Sequence, residues 1–409
     1  MPSRRRVAIT GIGIVSPLGR GIAANLEAVQ NSRSGISHLR NIDTSNLICR
    51  IGGEVSSEAL EGTGRDLDRF SRLAIIASSE AVTQARLDEL PDRARIATLL
   101  GTGLGGSESM EGAYHRLYAE GQSRLAPGTI PKAMYNAATS AVSSLHQALG
   151  PAFTTVSACA SAAHAIGQAA HWIRFGMADA VISGGSDAPL FPGVLRGWEA
   201  LRILAPDSDS PAESCRPFSA DRKGLVLAEG AAILVLEELE SARRRGAPIL
   251  GEILGSGMSS DAGHVTDPSP DGAARALRLA LEDAGIDGDG VGYINAHGTA
   301  TRANDPVETA AIRAVFGSRA SLIPVSSTKS MHGHAMGASA AIEIVLSLLA
   351  LNAGFLPPTI NYREKDPACD LDYVPNVARE SEVDTFVSNS FGFGGMNGVV
   401  VVRTSRGVR

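Results

Sequence analysis

The stretch TTVSACASAAHAIGQAA, residues 154–170, passes from a β-branched run into an alanine-rich one, with Cys159 at the change. It predicts a short strand, a tight turn and a helix. A second stretch, PVSSTKSMHGHAMGASAAIE at residues 324–343, has the same plan. Working outward from these two, three further pairs fall in the same order. VAITGIGIVSPLG (from Val7) is answered by ILGEILGSGMSSDAGH (from Ile249), and IATLLGTGLGG (from Ile96) by VGYINAHGTATRAND (from Val291). ADAVISGGSDAP (from Ala178) is answered by TFVSNSFGFGGMNGVVVV (from Thr385). Four strand-then-glycine blocks repeated in one order argue for two homologous halves, 1–245 and 246–409. Short strands such as 7–10 and 96–100 alternate with long Ala/Leu-rich segments such as 74–85, which predicts α/β layering with buried strands. A site at the junction of the halves is expected.

The 409 residues are 44% hydrophobic and 20% charged, enough for a large core and too apolar for disorder. A net charge of −6 argues against a general nucleic-acid binder, while leaving room for a local basic patch facing one acidic partner. Cys49, Cys159, Cys215 and Cys369 are far apart and form no CxxC pair, so neither zinc nor a disulfide framework is indicated and reduced thiols in a cytoplasmic protein are expected. The most apolar run, 340–356, contains Glu343 and stops at Pro357-Pro358, so no membrane insertion is expected.

Cys159 falls on a strand-to-helix turn, where the positive end of a helix dipole is expected to lower its pKa and favour a nucleophilic thiolate. The second half supplies the bases. His297, in Asn295-Ala-His-Gly-Thr299, ends a short strand among small residues, and Lys329-Ser-Met-His-Gly-His334 follows another strand and leads into a helix. The remaining histidines, His164 included, have no comparable setting. The block from Asn389 to Asn397, NSFGFGGMN, lacks the spacing of a nucleotide loop but can offer a backbone N–H to an oxyanion and an aromatic ring to a pocket.

A cysteine on an elbow, two later histidines, a lysine and a GFGG loop together resemble the elongating β-ketoacyl-acyl-carrier-protein synthases of the Cys-His-His type. The resemblance runs from VAITGIGIVSPLG to NGVVVV. It implies a thiolase-like fold, two similar halves in five α-β-α-β-α layers, and an acyltransferase acting as a homodimer. By the same resemblance Cys159 takes an acyl group from a carrier-protein phosphopantetheine thioester. His297 and His334 assist decarboxylation of malonyl-acyl-carrier protein, and the product is a β-ketoacyl carrier plus CO2. Lys329 is implied to hold the His334 region together with Glu343. Backbone N–H groups of Cys159 and Phe393 match an oxyanion hole, and the Phe393 ring a gate to the acyl tunnel. Thr299, Thr301, Phe391 and Leu104 match substrate contacts. No cofactor is implied beyond the carrier's phosphopantetheine; the family sometimes carries a monovalent cation near residues matching Asn295, Glu343, Ser388 and Asn389.

Single residues separate the relatives. A thiolase needs a second cysteine where this chain has GFGGMN, initiating synthases place asparagine at His334, and chain-length factors lose the nucleophile. Ser219, Lys223, Leu225, Arg302, His332 and Met396 depart from the common housekeeping pattern, which leaves both fatty-acid and specialised polyketide or polyene synthesis open. Three readings follow: a homodimeric elongating synthase, the catalytic subunit of a heterodimer with a chain-length factor, or a non-catalytic subunit keeping the fold. Arg65, Arg69 and Arg72, in GRDLDRFSRLA, recur on about one side of an expected helix near the family's carrier-docking region.

Overall fold

Ten strands carry the frame of the computed structural model, which describes residues 4–64 and 66–408. The first half supplies β1 (Val7–Ser16), β2 (Ile96–Gly101), β3 (Ala152–Thr155), β4 (Ala180–Asp187) and β5 (Gly230–Glu238). The second supplies β6 (Gly251–Ser260), β7 (Tyr293–Asn295), β8 (Val325–Ser326), β9 (Thr385–Gly392) and β10 (Met396–Thr404). Strand order is β3-β2-β4-β5-β1 in one half and β8-β7-β9-β10-β6 in the other, so each strand has a counterpart five numbers on. Direction repeats as well. β2 runs parallel to β3 and β4, as β7 does to β8 and β9, and the remaining neighbours in each half are antiparallel. The half-sheets meet edge to edge, residues 7–9 of β1 pairing with 251–253 of β6.

The helices repeat in the same way: α1 (Arg69–Ala85), α2 (Ala137–Leu145) and α3 (Ser161–Arg174), then α4 (Pro270–Ala284), α5 (Asn304–Phe316) and α6 (Ser339–Asn352). α1 and α2 cover the outside of the first half-sheet, and α4, backed by α5, covers the second. α3 and α6 touch each other and both half-sheets, which makes five layers, α-β-α-β-α. A helix between two sheets has no wet face, and SAAIEIVLSLLALN in α6 is accordingly apolar on every side and buried almost throughout. Glycine sets the outer packing distance. A Cβ at Gly11 or Gly13 of β1 would lie 2.1 or 2.0 Å from a backbone oxygen of α1. The duplicate positions Gly255 and Gly257 of β6 would put it 2.4 and 2.1 Å from the backbone of α4.

Two local expectations change. The first strand continues to Ser16 rather than stopping near residue 10. The first long helix starts at Arg69, not Ala74, because the Asp68 side chain accepts from Phe70 N and caps it there. Of the three arginines of the stripe, Arg69 and Arg72 are on the first turn of this helix, and Arg65 lies outside the described residues. Among the described residues no helix is long and apolar enough to cross a membrane.

Candidate active site

Cys159 sits two residues before α3, on the turn that follows β3. Ala158, immediately before it, has φ 51°, a left-handed conformation that costs a non-glycine residue about 1–3 kcal/mol. Neighbours hold the turn in place. Ser161 Oγ accepts from Ser157 N (2.9 Å) and donates to Ala158 O (2.6 Å). His164 bridges Ser157 Oγ (2.7 Å) and the Asn397 carbonyl of β10 (3.1 Å), so a histidine set aside on sequence grounds ties the elbow to the second half.

The sulphur and one ring nitrogen each of His297 and His334 lie within 4.8 Å of one another, all three residues being buried. His334 Nε2 is 3.1 Å from Cys159 Sγ, and its Nδ1 is 2.8 Å from Ser339 Oγ, a hydroxyl that serves either tautomer. Lys329 Nζ donates to the His297 carbonyl (2.6 Å) and to Glu343 Oε1, and lies 3.5 Å from His297 Nδ1. An ammonium has no acceptor to offer, so Nδ1 is the bare nitrogen and the His297 proton sits on Nε2. Lys329 thus steadies His297, whereas the family resemblance had implied His334; the expected Glu343 partner is present. Burial, then Lys329 and another imidazole (His334 on His297, His332 on His334), push both histidines well below the ordinary value, leaving two neutral rings.

The expected thiolate is not what this geometry favours. Burial pushes the Cys159 thiol up to about 11, because removing the sulphur from water outweighs Lys329 and the N–H groups of Phe393 and Cys159 itself, all of which favour the anion. The resting pair is a neutral thiol against a neutral imidazole. Cys215 and Cys369 are pushed further, to about 12, and Cys49 is also raised, burial leading in each case. Because Cys159 lines an open cleft with His334 on its sulphur, iodoacetamide is expected to modify it first, with a rate climbing about tenfold per pH unit from 7 to 10 as the thiolate fraction grows. Peptide mapping of the alkylated protein reads this; a rate plateau near pH 7 would show a thiolate–imidazolium pair instead.

Two buried carboxylates that the sequence left unassigned hold these pieces together. Glu308, one turn into α5, accepts from His297 N and Gly298 N (both 2.8 Å) and from Asn389 Nδ2 (3.0 Å), clamping the turn after β7 to the middle of β9. Asp187 accepts from Thr102 Oγ1, Gly103 N and Gly337 N (each 2.7 Å) and from Leu104 N (3.1 Å), joining the two strand-end loops of the first half to the His334 segment. An acidic residue in the first turns of a helix beside a strand end was the available signal for Glu308; Asp187 carried none. Asn295 Oδ1, Glu343 Oε2, Ser388 Oγ and Asn389 Oδ1 are buried without a hydrogen-bond partner among the described residues. Oxygens of this kind, with a single carboxylate, fit a monovalent cation.

A cleft of about 590 Å³ opens onto Cys159, His297 and His334 and is lined also by Thr299, Thr301, Phe391 and Phe393. Thr299 and Thr301 hydroxyls are 3.0 Å apart at its wall. Leu104 is not among the lining residues; Asp187 holds its backbone in the loop after β2. Arg69 and Arg72 face a separate polar cleft with Arg116 and Lys132. Arg69 does not stand ready for a partner: it makes a two-pronged pair with buried Glu229 (2.6 Å) and donates to Val55 O.

A nucleophilic thiol, two neutral imidazole donors and converging backbone N–H groups are the equipment of carbon–carbon bond formation through an acyl thioester. The β-ketoacyl synthase N-terminal domain matches residues 4–242 and the C-terminal domain residues 250–363. The chain belongs to the β-ketoacyl synthase family. Nodulation protein E of Rhizobium sp. (strain N33) is 45% identical over 404 residues, 98% of this chain and 99% of that protein. The 3-oxoacyl-acyl-carrier-protein synthase 2 of Synechocystis sp. is 43% identical over 403 residues, 96% and 97% of the two chains. Among solved structures, the ishigamide ketosynthase/chain length factor superposes with a TM-score of 0.92 at 36% identity, covering 98% of this chain and 100% of that one. The fold of this synthase is thiolase-like, and the chain is a condensing acyltransferase.

Proposed function

We propose that this synthase joins an acyl group held on Cys159 to malonyl-acyl-carrier protein, giving a β-ketoacyl carrier and CO2 in fatty-acid or polyketide synthesis. The observation that carries the reading is the 3.1 Å approach of His334 Nε2 to the sulphur beside a second neutral imidazole. In the first half-reaction Cys159 loses its proton toward His334 and attacks the carrier thioester. The new S–C bond forms as the carrier S–C bond breaks, and the proton leaves with the pantetheine thiol. In the second, malonyl loses CO2 and the bonding pair moves onto the thioester oxygen, where His297 and His334 donate N–H bonds. Neutral donors stabilise this enolate without a strongly acidic proton that would quench its carbon. The carbon attacks the acyl-Cys159 carbonyl, and the tetrahedral oxyanion is met by the N–H groups of Cys159 and Phe393 before the sulphur leaves as a thiolate, which a proton from solvent returns to the resting thiol. Thr299 and Thr301 stand where the pantetheine arm enters. A cation among Asn295, Glu343, Ser388 and Asn389 would add fixed positive charge behind the histidines. Purified chain, acyl carrier and malonyl carrier should yield one CO2 per β-ketoacyl carrier by mass spectrometry; CO2 without condensation would overturn the reading.

The chain divides functionally at 245/246, the first half bringing the nucleophile and the second both histidines and the gate loop. Its setting is cytoplasmic, which four unpaired cysteines support. A dimer forms along β3, which among the described residues pairs only with β2 and leaves Phe153 (40%) and Val156 (51%) exposed. A complete Cys-His-His set makes this chain the catalytic member, whether its partner is a second copy or a chain-length factor; light scattering of the chain alone separates the two.

The carrier-docking reading is kept for Arg72, whose guanidinium donates to Thr63 Oγ1 (2.9 Å) and Leu60 O (3.2 Å) at the edge of a cleft shared with Arg116 and Lys132. Arg72→Glu is expected to raise the KM for carrier-bound substrate several-fold at low salt and to flatten its salt dependence. Unchanged KM at low ionic strength would remove this cleft from docking. Arg69→Glu does not test the same idea, since it would set two carboxylates against each other in the interior.

A further inference from the structure

Three exposed cations border the catalytic cleft. Arg202 follows the helix Pro192–Leu201, Lys223 lies on the segment before β5, and Arg302 on the loop after β7. Among the described residues none of the three makes an ion pair or a side-chain hydrogen bond. They are far apart in the chain, and backbone contacts bring them together. Leu225 N donates to Ile203 O (2.9 Å) and Ala205 N to Leu225 O (2.8 Å), while Gly224 N donates to Ala300 O (3.1 Å). The buried Arg222 adds a bond from Nε to Thr301 O (3.1 Å). Gly224 permits this fit: its φ is +132°, and a Cβ there would lie 2.4 Å from Ile203 O. Each cation is one or two residues from a residue lining the cleft, namely Ile203, Leu225, Thr301 or Ala303. The acidic members of the cleft wall, Asp261 and Asp267, come from a different loop, after β6. A lone surface lysine or an arginine after a helix needs no ligand. Three cations gathered from three segments of a chain with net charge −6 repel one another, a cost that an incoming anion reverses. Lys223 and Arg302 are also among the residues that depart from the common pattern.

We propose that Arg202, Lys223 and Arg302 form a phosphate subsite, which takes the phosphate ester of the phosphopantetheine arm while its thioester reaches Cys159. The inference rests on the reading that a carrier-borne thioester enters this cleft. The arm carries a single anionic group, at the end away from the thioester. The rim is exposed and the sulphur buried, so an arm held by its phosphate at the rim points its thioester inward. Guanidinium forks match phosphate oxygens in pairs, and the lysine adds a compact charge. This contact reads the prosthetic group and not the carrier's surface, which separates it from docking at Arg72. An exposed ion pair is worth about 1.4- to 5-fold at low salt, so the three together set a preference of roughly 3- to 100-fold.

The test compares CO2 release from malonyl-pantetheine, malonyl-4′-phosphopantetheine and malonyl carrier protein. The proteins are the parent and the triple variant Arg202→Gln/Lys223→Gln/Arg302→Gln. At low salt the parent is expected to prefer the phosphorylated small thioester over the unphosphorylated one by roughly 3- to 100-fold in kcat/KM. That ratio should fall toward unity in the triple variant, and in the parent as salt is raised. A parent ratio near one at low salt overturns the subsite, a result that stands even if the variant fails to fold. So does a triple variant that keeps the parental ratio. If that variant also shows a raised KM for malonyl carrier protein, the cations face the carrier's surface instead. A parent that turns over malonyl carrier protein and neither small thioester likewise overturns the subsite. A parent that releases CO2 from none of the three overturns the condensing reading itself.

Discussion

His297→Ala is expected to lower CO2 release from malonyl carrier protein by ~10²–10³ while Cys159 still becomes acylated at close to the parental rate. The two half-reactions draw on different groups. Enolate formation needs N–H donors at the thioester oxygen, and His297, its proton held on Nε2 by Lys329 behind it, is one of the pair. Acyl transfer needs a proton acceptor at the sulphur, and that is His334. His334→Ala should therefore lose decarboxylation to a similar extent and also slow acylation, because a thiol pushed up to about 11 has no other imidazole on it. Cys159→Ala should lose acylation and condensation and keep decarboxylation. Radiolabelled acyl transfer and CO2 release measured on the same three variants decide the matter. Equal acylation rates in the two histidine variants would show that His334 does not take the thiol proton. Parental decarboxylation in either would remove that ring from the enolate site.

The second large effect lies behind the rings. Lys329 and Glu343 are a fully buried ion pair, 1% and 0% exposed. Lys329→Met leaves a carboxylate in an apolar helix between two sheets, and removing one partner of such a pair typically costs ~3–5 kcal/mol. The Glu343 carboxyl is already pushed up to about 7 by burial with Lys329 in place, so losing the lysine drives it further toward the neutral acid. Lys329→Met/Glu343→Met should recover most of the lost stability in urea titrations, since two apolar side chains of similar volume replace the pair. It should not recover decarboxylation, because the His297 carbonyl and Nδ1 have lost their donor. A double variant as unstable as the single one would mean the pair is not what Lys329 contributes. Full decarboxylation in the double variant would free His297 from dependence on Lys329.

Much of this protein is local in the chain and so is legible there. The repeated strand-glycine blocks determined the duplicated α/β frame, because each block must fold as one strand and one turn wherever it sits. The same blocks carry Cys159, His297 and His334 at strand ends, where loops converge. Lys329 and Glu343 were also within reach, being 14 residues apart on one continuous segment. What lay beyond the sequence is pairwise and distant. Which histidine faces the sulphur depends on packing the two halves, since Cys159 and His334 are 175 residues apart. The thiol's pKa follows from how much water that packing removes, and here desolvation outweighs the charge and dipole effects that sequence position suggests. Arg69 reads as a surface cation until Glu229, 160 residues on, is brought beneath it. The clamps of Glu308 and Asp187 and the basic rim of Arg202, Lys223 and Arg302 likewise exist only when separate segments meet. The chain by itself determined which chemical groups are present and at which turns. Only the tertiary structure decided which of them touch, because contact between two buried side chains depends on layers that neither segment encodes alone.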